Sequence, residues 1–360
     1  MNAGPEPSGT RYHSLDQWRG FAALWVMVFH AVEVWLNLTP GLLPGWLGTF
    51  CNHGWLGANL FFVISGYCIA ERCAREYRAR GTVRSFLADR LLRIYPPYWV
   101  ALLGVILLNV AATLVNDAAF KPGNPLPDGG QGWLLAFGAL EYWARVPDYL
   151  LVAWTLSFEV GFYFLAALCL GLASGTRRPW AGWALGGLLV VAGLSPVRML
   201  LPLLALWPQF ALGGIVWLLL HAVPSTGARL GVASGLFSIV AVAGWHLAPG
   251  GGFSLVFVCG CAFLLLVLYP LDRRIAAAPA LRWLGWCGTF SYSLYLLHAP
   301  IVGKFRNLLG RRWPADEPSS LWVPAVGCGL AVLVSWGFFQ LIERRTERWR
   351  RTYLHRPAVS

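Results

Sequence analysis

Charge is scarce in this sequence. Only 12% of the 360 residues are Asp, Glu, Lys or Arg, while 57% are hydrophobic. A soluble domain needs more polar surface, so this composition excludes a soluble globular fold and leaves an integral membrane protein. Acids are scarcer than bases, 16 against 28, giving a net charge of +12. In a soluble chain such an excess suggests nucleic acid. Here most basic residues lie in short loops between apolar runs, and no soluble segment interleaves aromatic with basic residues. The excess therefore reads as membrane topology, and no nucleic-acid partner is expected.

Other signatures are missing too. There is no His-x-x-x-His, no His-Glu-x-x-His and no carboxylate cluster with ligand spacing, so no metal is expected. Eight cysteines show neither zinc nor redox spacing and read as small packing residues. The G-x-S-x-G nucleophile elbow is absent. The start, "MNAGPEPSGTRYHS", lacks the basic end, apolar centre and small-residue cleavage site of a signal peptide. The first apolar run is then a retained span, and residues 1–13 read as a disordered polar tail. No fixed-period repeat is visible, and no long hydrophilic domain exists in which chemistry could sit apart from the membrane.

What is present is a series of apolar runs of spanning length. They predict an all-α, polytopic membrane helix bundle of about ten spans, near 17–37, 54–72, 96–115, 150–173, 180–194, 198–220, 230–248, 252–270, 284–303 and 320–342. The loop "ERCAREYRARGTVRSFLADRLLR" carries seven arginines against three acids and is placed in the cytoplasm. The first loop, 38–53, has no charged residue and falls outside. An even count with both termini cytoplasmic fits this pattern, with 344–360 as a basic cytoplasmic tail. Gln131–Arg145 is too short and too charged to span and reads as an external interfacial or re-entrant helix. The basic loop Lys304–Glu317, placed outside, fits the pattern least well.

Several ionisable groups lie inside these runs, where they are functional candidates by default. "LDQWRGFAALWVMVFH" puts Arg19 near a span's start and His30 deep within it. Eleven residues at 100° bring them to nearly one face, about 16 Å apart along the axis. A neutral imidazole can accept a proton, which suits a general base; a histidine bonded to a neighbouring helix is the plain alternative. Asp16 begins the same segment, and Glu33 sits three residues beyond His30, either orienting the ring or marking the end of the span. "AWTLSFEVGFYFLAAL" places Glu159 in an apolar helix, where it needs a partner, either a helix-orienting cation or a substrate hydroxyl. "SYSLYLLHAPIV" buries His298 beside Pro300, where it can bond backbone freed by the proline. Ser65-Gly66 in "NLFFVISGYCIA" reads first as close helix packing. Arg90 and Arg93 stand at i and i+3 before a Pro-Pro that can open a helix, either as inside-positive charges or as phosphate readers.

Five of these stretches, "LDQWRGFAALWVMVFHA", "NLFFVISGYCIA", "RLLRIYPPYWV", "WTLSFEVGFYF" and "SYSLYLLHAP", occur in an order that resembles the acyltransferase family 3 membrane proteins. That family includes bacterial O-acetyltransferases of surface glycans. The resemblance covers roughly 14–342 and makes 14–343 a membrane-embedded acyltransferase domain. It implies transfer of an acyl group, by default acetyl, from cytoplasmic acetyl-CoA or another acyl-CoA to a hydroxyl of a carbohydrate or glycolipid, polysaccharide or lipopolysaccharide among them, at a bacterial inner membrane. It implies that Arg19 and His30 are essential, that Arg90 and Arg93 form the family's Arg-x-x-Arg, and that Ser65, Gly66 and Tyr67 form its Ser-Gly-x. On this reading Arg90 and Arg93 hold the phosphates of CoA, and His30 is either general base or transient acyl carrier. Glu159 holds the acceptor or a partner ring. The rival from another class is a transporter of a glycan or small solute, which also uses buried ionisable residues but shows two similar halves. No such symmetry is visible here.

Overall fold

In the computed structural model the described residues are 12–39, 41–116, 126–247, 252–309, 312–313 and 320–354; side chains are described outside 112–116 and 353–354. Among them every regular element is helical. In chain order these are α1 (Leu15–Leu38), α2 (Gly45–Asn52), α3 (Leu56–Arg78), α4 (Val83–Asn116), α5 (Gly129–Gly138), α6 (Glu141–Ala144), α7 (Ala153–Thr176) and α8 (Pro179–Leu194). They continue as α9 (Trp207–Ala222), α10 (Thr226–Leu247), α11 (Gly252–Leu268), α12 (Asp272–Ala277) and α13 (Arg282–Thr289). The last three are α14 (Ser291–Leu309), α15 (Trp322–Phe338) and α16 (Arg344–Leu354), with a π-helical segment, Phe339–Glu343, between α15 and α16.

Among the described residues, six helices are long and apolar enough to cross a membrane, or seven if α2 and α3, bent by 52°, form one broken span. These account for part of the ten expected. α8 and α9 are apolar but of only 16 residues each. Residues 198–206, expected to open one span, instead fold into short 3-10 turns. The expected span 284–303 is broken at Phe290 between α13 and α14. Gln131–Arg145 is two short helices, with Ala139 in the left-handed region at φ 52° between them.

The arginine-rich loop is mostly helix. α3 runs on to Arg78 and α4 begins at Val83, leaving only residues 79–82 as the turn. Pro96 and Pro97 therefore lie inside α4 and do not open it. Arg90 and Arg93 are helical residues two turns into α4, one turn before the proline pair. Of the tail expected over 1–13, residues 1–11 lie outside the described residues. From Tyr12 the chain is anchored: the Tyr12 hydroxyl donates to the Leu265 carbonyl (3.0 Å), and the backbone N–H groups of His13 and Ser14 donate to the Asp272 carboxylate (2.6 and 2.8 Å). Likewise 355–360 lie outside the described residues, while 344–354 form α16.

The chain divides into two compact units. The first comprises residues up to Ala22, Leu56–Val83 and Phe164–Thr289; the second comprises Ala23–Trp55, Arg84–Tyr163 and Phe290 onward. The boundaries fall within α1 and α7. In the first unit α3 and α9 cross with glycines on both sides. A Cβ on Gly66 would lie 1.8 Å from the Phe210 carbonyl oxygen, and one on Gly213 would lie 1.8 Å from that of Val63. Only backbone fits there, the usual route to tight helix contact in lipid, where no hydrophobic effect drives helices together. The start of α1 meets α13 the same way, through Gly20 against Leu284 and Gly288 against Asp16.

In the second unit, α4 carries α5 by its aromatic donors. Tyr98 donates to Ala136 O (2.6 Å), Trp99 to Phe137 O (2.9 Å) and Tyr95 to Gly138 O (2.9 Å), and Ser157 of α7 donates to Ala139 O. Ala136, Phe137 and Gly138 carry the last carbonyls of α5, beyond the reach of i+4 donors within the helix; Ala136 O also accepts from the N–H of Ala139, the residue that caps it. Just beyond them Glu141 is fully buried, and neither of its carboxyl oxygens is hydrogen-bonded at normal geometry. Elsewhere in this unit the Trp35 indole donates to Ser320 Oγ at 2.6 Å.

Candidate active site

The second unit brings two of the predicted histidines together. The rings of His30, on α1, and His298, on α14, have centroids 5.3 Å apart. His298 is fully buried, and its Nδ1 lies 3.1 Å from the Leu294 carbonyl. A carbonyl only accepts, so Nδ1 carries the proton and Nε2 is left as a lone pair. That Nε2 is buried and has no hydrogen-bond partner. His30 is partly open, its side chain 24% exposed, and its Nδ1 lies 3.8 Å from Glu33 Oε2. Glu33 thus stands beside His30, as its spacing predicts, and the sequence of groups is carboxylate, imidazole, imidazole. Pro300 lies inside α14, but the His298 ring bonds the Leu294 carbonyl one turn before it and not the carbonyl that the proline frees.

A second polar group surrounds Glu159. Its Oε1 accepts from the Tyr163 hydroxyl one turn further along α7 at 2.7 Å. Arg90 and Arg93 act electrostatically on that same tyrosine. Tyr292 donates to the Ile94 carbonyl at 2.8 Å and is within electrostatic reach of Glu159 and Glu343. Ser293 donates to Glu343. Tyr295 links the two groups: its ring lies 5.7 Å from that of His298, its hydroxyl is 3.1 Å from Thr155 Oγ1, and Glu159 acts on it. The sequence reading missed Tyr163, Tyr292, Tyr295, Thr155 and Glu343. Their signal was present only as spacing, with Tyr163 at i+4 from Glu159 and Tyr295 at i−3 from His298.

Arg90 is occupied. Its Nε and Nη2 both donate to Oδ2 of Asp89, at 3.1 and 2.5 Å. Arg93 is exposed on the same helix. In the first unit, Arg19 donates to Cys68 Sγ at 3.1 Å and lies 3.6 Å from Asp16 Oδ1. Tyr67 is buried with its ring edge-on to Tyr12 at 5.9 Å. Gly66 is the helix-crossing residue described above, in keeping with the packing expectation for Ser65-Gly66. Among the described residues no group of three or more His, Cys, Asp or Glu converges as metal ligands would.

An imidazole lone pair held dry by one tautomer, with a carboxylate–tyrosine group nearby, can move a proton to or from a hydroxyl. The family described as "Acyltransferase domain" matches residues 12–340. This chain is a member of that acyltransferase family. Among relatives, the acyltransferase is 29% identical to the exopolysaccharide production protein ExoZ of Rhizobium meliloti, over 80% of this chain and 86% of that one. It is 23% identical to a Staphylococcus aureus protein described as an O-acetyltransferase, over 94% of this chain and 59% of the relative. It is also 23% identical to the peptidoglycan O-acetyltransferase OatA of Listeria monocytogenes, over 80% and 49%. The acyltransferase thus spans roughly half to three-fifths of the length of the latter two. No solved structure matches it.

Proposed function

We propose that this acyltransferase moves an acyl group, acetyl by default, from acyl-CoA to a hydroxyl of a carbohydrate or glycolipid at a bacterial inner membrane. The observation that carries the reading is the His30–His298 pair, with its buried, unpartnered Nε2. The relatives' names support a glycan acceptor: one serves exopolysaccharide production and another acetylates peptidoglycan. Ten spans with both termini cytoplasmic remain the topology that the loop charges favour.

In this mechanism an imidazole of the pair takes the acceptor's hydroxyl proton as the oxygen attacks the thioester carbon. The new C–O bond forms, the C–S bond breaks, and the CoA thiolate leaves and takes up a proton. Glu33 orients His30 and stabilises the imidazolium as it forms. The fixed Nδ1–H bond of His298 holds its second nitrogen ready to accept from His30 or from the hydroxyl. In the variant route a His30 nitrogen attacks the thioester carbon, the C–S bond breaks and the CoA thiolate leaves; the acceptor hydroxyl then attacks the acyl-imidazole, gives up its proton and frees the His30 ring. Glu159 with Tyr163 positions the acceptor, Arg90 and Arg93 face the donor's phosphates, and Arg19 supports the same end of α1.

The test uses membrane vesicles containing the protein and acetyl-CoA labelled on its acetyl group. Label should pass to co-purified glycan with wild type and fail to pass with His30→Ala and with His298→Ala. Glycan labelling that survives both substitutions refutes the reading. No CoA release from folded wild type, with longer acyl donors also supplied, would favour a transporter.

A further inference from the structure

The family match ends at residue 340, yet the helix beyond it reaches back to the Arg-x-x-Arg segment. α16 carries five arginines and one glutamate. One of the five, Arg350, is buried at 7% exposure, and its Nη1 is bonded to Oδ1 of Asp89, itself 3% exposed. The other carboxylate oxygen, Oδ2, is the one that holds Nε and Nη2 of Arg90, which is 9% exposed. One buried carboxylate is thus shared by two buried guanidiniums. A buried charge is tolerated when it is paired, and the two guanidiniums and one carboxylate sum to one positive charge. Around them, Arg93 and Glu347 both act on Arg350; Glu347 Oε1 lies 3.7 Å from Arg350 Nη2 and also accepts from Arg351 at 2.5 Å, so this carboxylate is shared between two arginines.

Without Arg350, the Asp89 carboxylate would be neutralised by Arg90 alone, and Arg90 would offer an anion little net attraction. With Arg350 in place, Asp89 is already neutralised, and its contacts with Arg90 serve to fix the direction of that guanidinium. We propose that Arg350 is a positioning residue. It neutralises Asp89 so that Arg90 keeps its positive charge, correctly aimed, for the phosphates of the acyl donor. The inference rests on the acyl-CoA reading above for the identity of the anion.

The test compares Arg350→Gln, Arg350→Lys, Asp89→Asn and the double variant Asp89→Asn/Arg350→Gln in the full chain. Readouts are KM and kcat for acetyl-CoA, and binding of 3′,5′-ADP, the phosphate-bearing end of CoA, in nanodiscs of zwitterionic and of anionic lipid. Losing one charge-assisted contact's worth of attraction is about tenfold in affinity. Arg350→Gln should therefore raise KM and weaken 3′,5′-ADP binding about tenfold with kcat nearly unchanged. Arg350→Lys should recover most of the loss. The double variant should recover it too, because removing the carboxylate's charge removes the need for Arg350.

Wild-type KM and wild-type 3′,5′-ADP binding in folded Arg350→Gln would overturn the proposal. So would a double variant no better than the single, or a loss confined to anionic nanodiscs, which would assign α16 to lipid headgroups. Failure of wild type to bind 3′,5′-ADP would overturn it as well. Binding that depends on Arg350 in a protein that releases no CoA would refute the acyl-transfer reading and leave this inference standing.

Discussion

Replacing Glu141 with glutamine should stabilise this protein at pH 8 and leave it nearly unchanged at pH 4. Burial, reinforced by the Asp148 carboxyl, raises Glu141 from 4.5 to about 7, against a smaller opposing pull from the backbone N–H groups of Glu141 and Tyr149. The groups that act electrostatically around it are Asp148, itself raised by burial to about 6, and Tyr98, whose hydroxyl is committed to Ala136 O. Between pH 4.5 and 7 the folded state keeps a proton that the unfolded chain has released, so stability falls as pH rises through that window. The full cost is reached above pH 7. A rise of about 2.5 units at about 1.36 kcal/mol each makes it at most about 3 kcal/mol. Glutamine is neutral throughout and nearly isosteric, so it removes the slope that Glu141 contributes and leaves that of Asp148. Melting curves of detergent-solubilised wild type and Glu141→Gln, followed by tryptophan fluorescence from pH 4 to 8, test this. The two should nearly coincide at pH 4 and separate by roughly 5 °C at pH 8, the variant being higher. Parallel curves across the range, or a gap that widens towards low pH, would refute the reasoning.

Gly213→Ala forces a methyl to within 1.8 Å of Val63 O and should destabilise by several kcal/mol as α3 and α9 are pushed apart. Gly260→Ala meets nothing within 4 Å and should be neutral or stabilising by up to about 1 kcal/mol through helix propensity; equal melting shifts for the two would contradict the crossing geometry. Tyr98→Phe leaves the Ala136 carbonyl with only the Ala139 N–H as donor and should cost about 0.5–1.5 kcal/mol. Tryptic digestion should then cut the segment after α5 faster than in wild type, and unchanged digestion would show that the bond does not hold α5.

Membership of a polytopic helical family was legible because buried ionisable residues and five ordered motifs survive in one dimension. His30 was legible as an anomaly in an apolar run. Its pairing with His298 was not, because 268 residues separate them and only the contact between α1 and α14 brings their rings together. Arg90 shows another limit. Its spacing from Arg93 left an inside-positive charge and a phosphate reader equally open, and only the structure brings the distant Arg350 to its neighbour Asp89. Hydropathy does not register backbone breaks, such as the 3-10 turns before α9 and the break at Phe290, so only part of the ten expected spans are single long helices among the described residues. The prolines misled in the same way: Pro96 and Pro97 sit inside α4, one turn after Arg93, where starting a helix was the obvious use for them.

The π-helical segment Phe339–Glu343 holds one residue more than an α-helix would need to cover the same stretch. Deleting a single residue there would restore regular α phase and turn everything beyond it by about 100°. Hydropathy and composition would hardly register the change, yet Arg350 would swing away from Asp89 and another arginine of α16 would face α4. A single-codon deletion at this point is therefore a small evolutionary step with a large effect.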